Sequence, residues 1–119
     1  MTKPVIYHNP RCSKSRQTLA LIHERGIEVN VVEYLKEPPS EARLAGLIQM
    51  LGIRPIDLIR KKEELFRTLG LAGKHHDDKA LIAAMVEHPI LIERPIVVYG
   101  RKAVIGRPPQ KVLELMNWG

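Results

Sequence analysis

Two short apolar segments flank a helical stretch at the start of the chain, and this order restricts the fold more than any other feature. The first, KPVIY (3–7), runs into Asn9-Pro10 and is typical of a buried strand that ends in a turn. The second is VNVVEY (29–34). A strand, a helix and a strand this close together predict a βαβ unit, in which the two strands are parallel.

The stretch between these strands predicts the connecting helix over Ser13 to Arg25. Leu19 and Ile22 give it one inward stripe, and Gly26 follows as a stop signal. The predicted helix therefore begins directly after the only cysteine of the chain, Cys12.

The middle of the chain, about residues 40–90, predicts a helical insertion. Apolar residues recur there at i, i+3, i+4 and i+7, the spacing of a helix with one buried face. This stripe consists of Leu44, Leu47, Ile48 and Leu51. Candidate helix starts are Ser40, Pro55 and Asp77.

The last third of the chain predicts a hairpin and a closing helix. PIVVY (95–99) and KAVIG (102–106) flank Gly100-Arg101, whose leading glycine suits a type II′ turn, and a helix follows over 108–118. We therefore predict an α/β chain with a thioredoxin/glutaredoxin-like fold, in which a four-stranded mixed sheet receives a helical insertion before the C-terminal β-hairpin. We expect one domain over residues 1–119. Pro95 stands where that fold places a cis proline facing the cysteine.

Composition narrows the class of partner. The formal net charge is +6, from 19 Lys and Arg against 13 Asp and Glu, and these basic residues are spread along the chain. With only 4% aromatic residues available for base stacking, this charge favours small anions or acidic proteins over nucleic acid. No membrane segment is predicted, and a single cysteine excludes a disulfide scaffold, so we expect a cytoplasmic protein.

Cys12 is predicted to be a reactive thiol. A lone cysteine is often a small buried hydrophobe, but the polar neighbours NPR and SKSR are poor core material. The first helical amides, on Ser13, Lys14 and Ser15, are expected to point toward its sulfur, where the helix dipole favours negative charge. The dipole contributes only about 0.3–1 kcal/mol, so a nearby cation is also needed.

Four local cations could stabilise the thiolate, and we expect His8, at the exit of the first strand, to do so. The other three are Arg11, Lys14 and Arg16.

Positions 15 and 18, which follow Cys12, lack the residues that two other classes of cysteine enzyme have there. Position 15 is Ser where a dithiol oxidoreductase has a second Cys, so electrons must come from an external thiol. Position 18 is Thr where a tyrosine-phosphatase loop has Arg, so an oxyanion must be held by arginines from elsewhere in the chain. No metal site is predicted, because HHDD (75–78) favours a solvated loop and a helix cap over a zinc site.

Four segments in order resemble the glutaredoxin-linked arsenate reductase (ArsC) family, and most of all its short YfgD-like subgroup. They are YHNPRCSKSR (7–16), LIRKKEELF (58–66), HPILIERPIVV (88–98) and IGRPP (105–109). The resemblance implies that Cys12 is the nucleophile and that His8 is the histidine that activates it. It also implies that three arginines hold the oxyanion, with the first acting as a lid from the insertion: Arg60, Arg94 and Arg107.

The same resemblance implies a reaction in which the Cys12 thiolate attacks arsenate. Glutathione is the implied reducing co-substrate and glutaredoxin the protein partner, with no bound cofactor. Two alternatives remain open: a regulator like the Spx proteins, which bind RNA polymerase and usually carry CxxC, and a glutathione-dependent thiol oxidoreductase with another substrate.

Overall fold

The computed structural model describes residues 3–116, so the last two residues of the predicted closing helix lie outside the described range. Within that range it has four strands, six α-helices and two short 3-10 turns, at Leu71–Lys74 and Pro89–Leu91. The strands are β1 (Val5–His8), β2 (Asn30–Glu33), β3 (Ile96–Tyr99) and β4 (Lys102–Ile105). The helices are α1 (Ser13–Glu24), α2 (Glu41–Leu51), α3 (Pro55–Leu58), α4 (Glu64–Thr68), α5 (Asp78–Glu87) and α6 (Lys111–Met116).

The chain forms two compact units. The first extends to Glu37 and resumes at Arg94, and the second is Pro38–Glu93. All four strands, with α1 and α6, belong to the first unit, and the other helices belong to the second. That the two units act as one domain stays a prediction.

The first unit is built on a mixed four-stranded sheet in the order β2-β1-β3-β4. β1 pairs in parallel with β2, with Val5 opposite Asn30, and antiparallel with β3, with Val5 opposite Val98. β3 and β4 form the predicted hairpin. Gly100, the first residue of the turn, has φ +64°. Arg101, the second, does not have positive φ, since only glycines do within residues 3–116. A positive φ at the first position alone is what a type II′ turn requires. The predicted mixed sheet is confirmed.

A buried apolar cluster joins the sheet to its helices. Ile6 and Val97, on the two central strands, are fully buried and pack with Ile22 of α1 and Val112 of α6. Because β1 is central and anchored from both sides, its carboxyl end holds His8 and the turn to Cys12 on a rigid support.

The second unit is helical, with the predicted caps. The Ser40 hydroxyl accepts a hydrogen bond from the Arg43 N–H at 3.1 Å, and the Asp77 carboxylate accepts one from the Ala80 N–H at 3.1 Å. The buried residues of the two capped helices are Leu44, Leu47, Ile48, Leu81 and Met85. No helix in the described range combines the length and apolarity needed to cross a bilayer.

Two matched valines test the role of the central strand. Val97 on β3 is fully buried, whereas Val31 on the edge strand β2 is 44% exposed. Val97→Ala should lower the free energy of unfolding by about 2 kcal/mol, through lost burial and the cavity left behind. Val31→Ala should lower it by less than about 0.5 kcal/mol. Urea unfolding checks both, and equal losses would contradict the assigned core.

Candidate active site

A tight turn carries the chain from β1 to the cysteine. The Cys12 N–H donates to the Asn9 carbonyl at 3.0 Å, and the Asn9 side-chain oxygen accepts from the Arg11 N–H at 3.0 Å. Pro10 follows Asn9, where a type I or II turn favours proline. The turn places Cys12 at the N-cap of α1, with extended backbone angles (φ −96°, ψ 123°).

The Cys12 sulfur faces a guanidinium. Cys12 is only 8% exposed, and Nη2 of Arg107 lies 3.7 Å from its Sγ. Arg107 is held in turn through its Nε, which donates to the Arg94 carbonyl at 2.9 Å. A fixed positive charge at this distance stabilises a thiolate over a thiol.

The first turn of α1 begins directly after Cys12, with Ser13, Lys14 and Ser15. The Cys12 side chain accepts no capping hydrogen bond from this turn. Sulfur is a weak acceptor, and here it lies against the Arg107 guanidinium. The predicted role of the three amides, which is to place the positive end of the helix dipole beside the thiol, stays a prediction.

His8 lies at the end of β1, where the turn to Cys12 begins. It is 7% exposed, and its Nδ1 lies 2.6 Å from the Ser15 hydroxyl. Burial lowers the pKa of His8 from its ordinary value of 6.5; Glu33 opposes this shift and Arg16 adds to it. The cation in contact with the sulfur is Arg107, and the activating role of His8 stays a prediction.

Sequence reasoning missed the role of the Ser15 side chain. Ser15 is fully buried, and its hydroxyl accepts from the Asn9 N–H at 3.0 Å while contacting His8 Nδ1. One hydroxyl thus ties the end of β1 to the first turn of α1 and orients the imidazole. The sequence did offer a sign of this role: Ser15 stands three residues after Cys12, at the position where a dithiol enzyme has its second cysteine.

Arg94 and Pro95 enter the same unit just before β3. The Nε and Nη1 atoms of Arg94 are inaccessible to solvent, and its carbonyl receives the hydrogen bond from Arg107. The Arg94–Pro95 bond is cis, as expected for Pro95, and so is Arg107–Pro108. The structure therefore brings two of the three predicted oxyanion arginines into contact with each other.

Arg60 belongs to the second unit. Its backbone N–H donates to the Leu91 carbonyl at 2.7 Å, beside an antiparallel bridge between Ile59 and Ile92. Its guanidinium contacts two carboxylates, Glu63 at 2.7 Å and Glu93 at 3.7 Å. Both acidic partners were absent from the sequence-based prediction, and the oxyanion role of Arg60 stays a prediction.

The remaining local cations are exposed. Arg11 and Lys14 lie at the surface, and Arg16 donates from Nη1 to the Pro10 carbonyl at 2.9 Å. Within residues 3–116, no group of three or more His, Cys, Asp or Glu side chains is arranged to hold a metal ion. The described groups thus offer thiol and guanidinium chemistry: a nucleophile with fixed positive charge beside it.

Comparison with known proteins matches the sequence of this chain to one family. The family model described as "ArsC family" matches residues 7–115. The "Uncharacterized protein YfgD" of Escherichia coli (strain K12) is 53% identical over 119 residues, covering 98% of this chain and all of the relative. An "Arsenate reductase" of Rhizobium meliloti (strain 1021) is 48% identical over 111 residues, covering 93% of this chain and 79% of the relative.

A solved structure supports the same assignment. The arsenate reductase from Vibrio cholerae superimposes with a TM-score of 0.91 at 52% identity, covering 94% of this chain and 96% of that one. The predicted thioredoxin/glutaredoxin-like fold is confirmed by this match and by the mixed sheet. These relatives favour an arsenate reductase over the Spx-like regulator.

The Arg107 contact predicts how fast the thiol reacts. Arg107→Ala should slow the alkylation of Cys12 by iodoacetamide at pH 7 by roughly tenfold, because a positive charge beside the sulfur favours the reactive thiolate. The exposed hairpin residue Arg101 provides the control, Arg101→Ala, which should leave the alkylation rate unchanged. The loss of free thiol with time gives both rates. Equal rates in Arg107→Ala and wild type would refute the assignment.

The depressed pKa of His8 predicts how stability depends on pH. Below its ordinary value of 6.5 the unfolded chain binds a proton that the folded protein disfavours, so the free energy of unfolding falls as pH falls. One such group accounts for at most about 1.4 kcal/mol per pH unit. His8→Gln should flatten the curve between about pH 7 and 5.5, a window above the carboxylate titrations. The exposed His75→Gln is the control, and equal slopes in all three proteins would contradict the assignment.

Proposed function

Because this chain belongs to the ArsC family, we propose that it reduces arsenate to arsenite, with Cys12 as the nucleophile and external thiols as the source of electrons. The contact of 3.7 Å between Arg107 and the Cys12 sulfur carries this proposal. It supports a thiolate and an oxyanion at the same place, since one guanidinium can neutralise both. The relatives named arsenate reductase identify the oxyanion.

Arg94 and Arg107 are proposed to hold the arsenate oxygens. Planar guanidiniums bind tetrahedral oxyanions through paired N–H donors, which a lysine cannot reproduce. The Arg107 Nε donates to the Arg94 carbonyl and its Nη2 lies 3.7 Å from the sulfur, so the guanidinium is held beside the atom that would attack arsenate. Arg60 is included as a third oxyanion residue on the family resemblance alone.

The proposed chemistry balances with two external thiols. The Cys12 thiolate forms a bond to arsenic(V), and an arsenate oxygen leaves as water after protonation. Glutathione and a glutaredoxin thiol then supply two electrons and two protons and leave joined as a mixed disulfide, while a second arsenic oxygen leaves as water and arsenic becomes arsenic(III). Hydrolysis of the Cys12–arsenic bond releases arsenite and restores the thiol. Overall, arsenate and two thiols give arsenite, one disulfide and water.

The single cysteine supports this external cycle. Ser15 in place of a second thiol prevents an internal disulfide at this position, so the electrons must be delivered by a partner. We propose glutathione and glutaredoxin as that supply, and the cytoplasm as the location, because that compartment keeps the glutathione pool reduced. Burial of His8 and the Ser15 hydroxyl would keep the imidazole neutral and oriented beside the turn that carries Cys12.

A coupled assay tests the proposed function. With glutathione, glutaredoxin and glutathione reductase present, arsenate should drive NADPH oxidation, and Cys12→Ser should reduce the rate to that of the assay without protein, because no other thiol exists in the chain. Ser13→Ala, an exposed change beside the nucleophile, should retain most of the activity. Equal rates for wild type and Cys12→Ser would remove Cys12 from the reaction. No arsenate-dependent rate in wild type would remove arsenate as the substrate.

A further inference from the structure

Gly106 lies where almost no other residue fits. It follows β4 and precedes Arg107. A Cβ placed on Gly106 would lie 2.5 Å from Thr18 Oγ1 and 2.9 Å from Pro95 Cγ. Cβ atoms essentially never come this close to other atoms, so a side chain at Gly106 requires Thr18, Pro95 or the segment 106–107 to shift.

Hydrogen bonds lock the same close approach. The Gly106 N–H donates to the Pro95 carbonyl at 3.0 Å. Thr18 is fully buried, and its hydroxyl donates to the Lys14 carbonyl at 2.8 Å and lies 3.4 Å from the Gly106 carbonyl. Gly106 is thus held between the helix that begins at Cys12 and the segment that begins at Arg94.

The position of Arg107 depends on the close packing of Gly106 against Thr18 and Pro95. Arg107 is the residue after Gly106, and its Nε bonds the carbonyl of Arg94, the residue before Pro95. Two adjacent pairs, Gly106 with Pro95 and Arg107 with Arg94, therefore tie the same two segments together. The side of α1 that touches Gly106 belongs to the helix whose N-cap is Cys12. The spacing between guanidinium and sulfur is set by these contacts together.

We infer that Gly106 is a positioning residue for the reaction: its lack of a side chain lets the segment 106–107 seat against Thr18 and Pro95, and this seating sets the distance from Arg107 to the Cys12 sulfur. The inference deepens the proposed function, on which its catalytic meaning rests. Thr18 occupies the position where a tyrosine-phosphatase loop would have an arginine, and here its side chain packs directly against Gly106.

The test measures the thiol without any substrate. The rate of Cys12 alkylation by iodoacetamide at pH 7 reports the reactivity of the sulfur, because only the thiolate reacts. Gly106→Ala should lower that rate about tenfold, the factor that corresponds to about 1.4 kcal/mol of lost thiolate stabilisation. Gly46→Ala is the matched control, since a Cβ at Gly46 meets nothing within 4 Å.

A second substitution separates seating from general damage. Thr18→Ala removes the nearest atom that a Cβ at Gly106 would meet, so the double variant with Gly106→Ala should recover at least half of the alkylation rate that Gly106→Ala alone loses, on a logarithmic scale. A purely structural role would lower the urea midpoint of unfolding and leave the alkylation rate of the folded protein unchanged. If Gly106→Ala does not fold, Thr18→Val should slow alkylation by a smaller factor, because it removes the hydroxyl that lies 3.4 Å from the Gly106 carbonyl.

The possible results distinguish a failure of this inference from a failure of the proposed function. An unchanged alkylation rate in folded Gly106→Ala overturns the inference, as does a double variant with no recovery of the rate. When Gly106→Ala does not fold, an unchanged rate in Thr18→Val overturns it. Because the alkylation uses no arsenate, the rate changes stand even if wild type shows no arsenate-dependent turnover, a result that would overturn only the proposed function.

Discussion

The contact between the Arg107 guanidinium and the Cys12 sulfur is the interaction on which the rest of the first unit depends. A nearly buried thiolate is unstable without a fixed positive charge, because burial removes the water that would otherwise solvate it. The two groups come from opposite ends of the chain, and the sheet brings those ends together by pairing β1 with β3. The β3–β4 hairpin then returns the chain to Arg107.

The charge at the site is divided among groups with different tasks. Arg107 is charged at any pH the protein meets and lies against the sulfur, whereas His8 is kept neutral by burial and is tied to Ser15. A neutral imidazole next to the turn adds no repulsion toward the guanidinium. Electrons are the one requirement that these groups cannot meet, and a chain with a single cysteine must obtain them from other thiols.

Local patterns predicted most of the fold, and long-range contacts decided the rest. The βαβ start, the Ser40 and Asp77 caps and the Gly100 turn were readable because each depends on a few neighbouring residues. The position of Cys12 at a helix start was readable for the same reason. The contact of Cys12 with Arg107 was not readable in this way: the two residues are 95 positions apart, no periodicity reports which distant loop reaches a given side chain, and Arg107 entered the prediction only through the family resemblance. The fit of Gly106 against Thr18 was hidden likewise, since a glycine gives no sign of what packs on it.

Mass spectrometry of a single turnover tests the central claim most directly. Stoichiometric arsenate and limiting glutathione are added to the fully reduced protein, the reaction is quenched in acid, and arsenite and the state of Cys12 are measured in the same samples. Covalent participation predicts a transient mass increase on the peptide that carries Cys12, formed before arsenite and absent without arsenate. Arsenite that forms at the wild-type rate while Cys12 is blocked by alkylation would contradict the account.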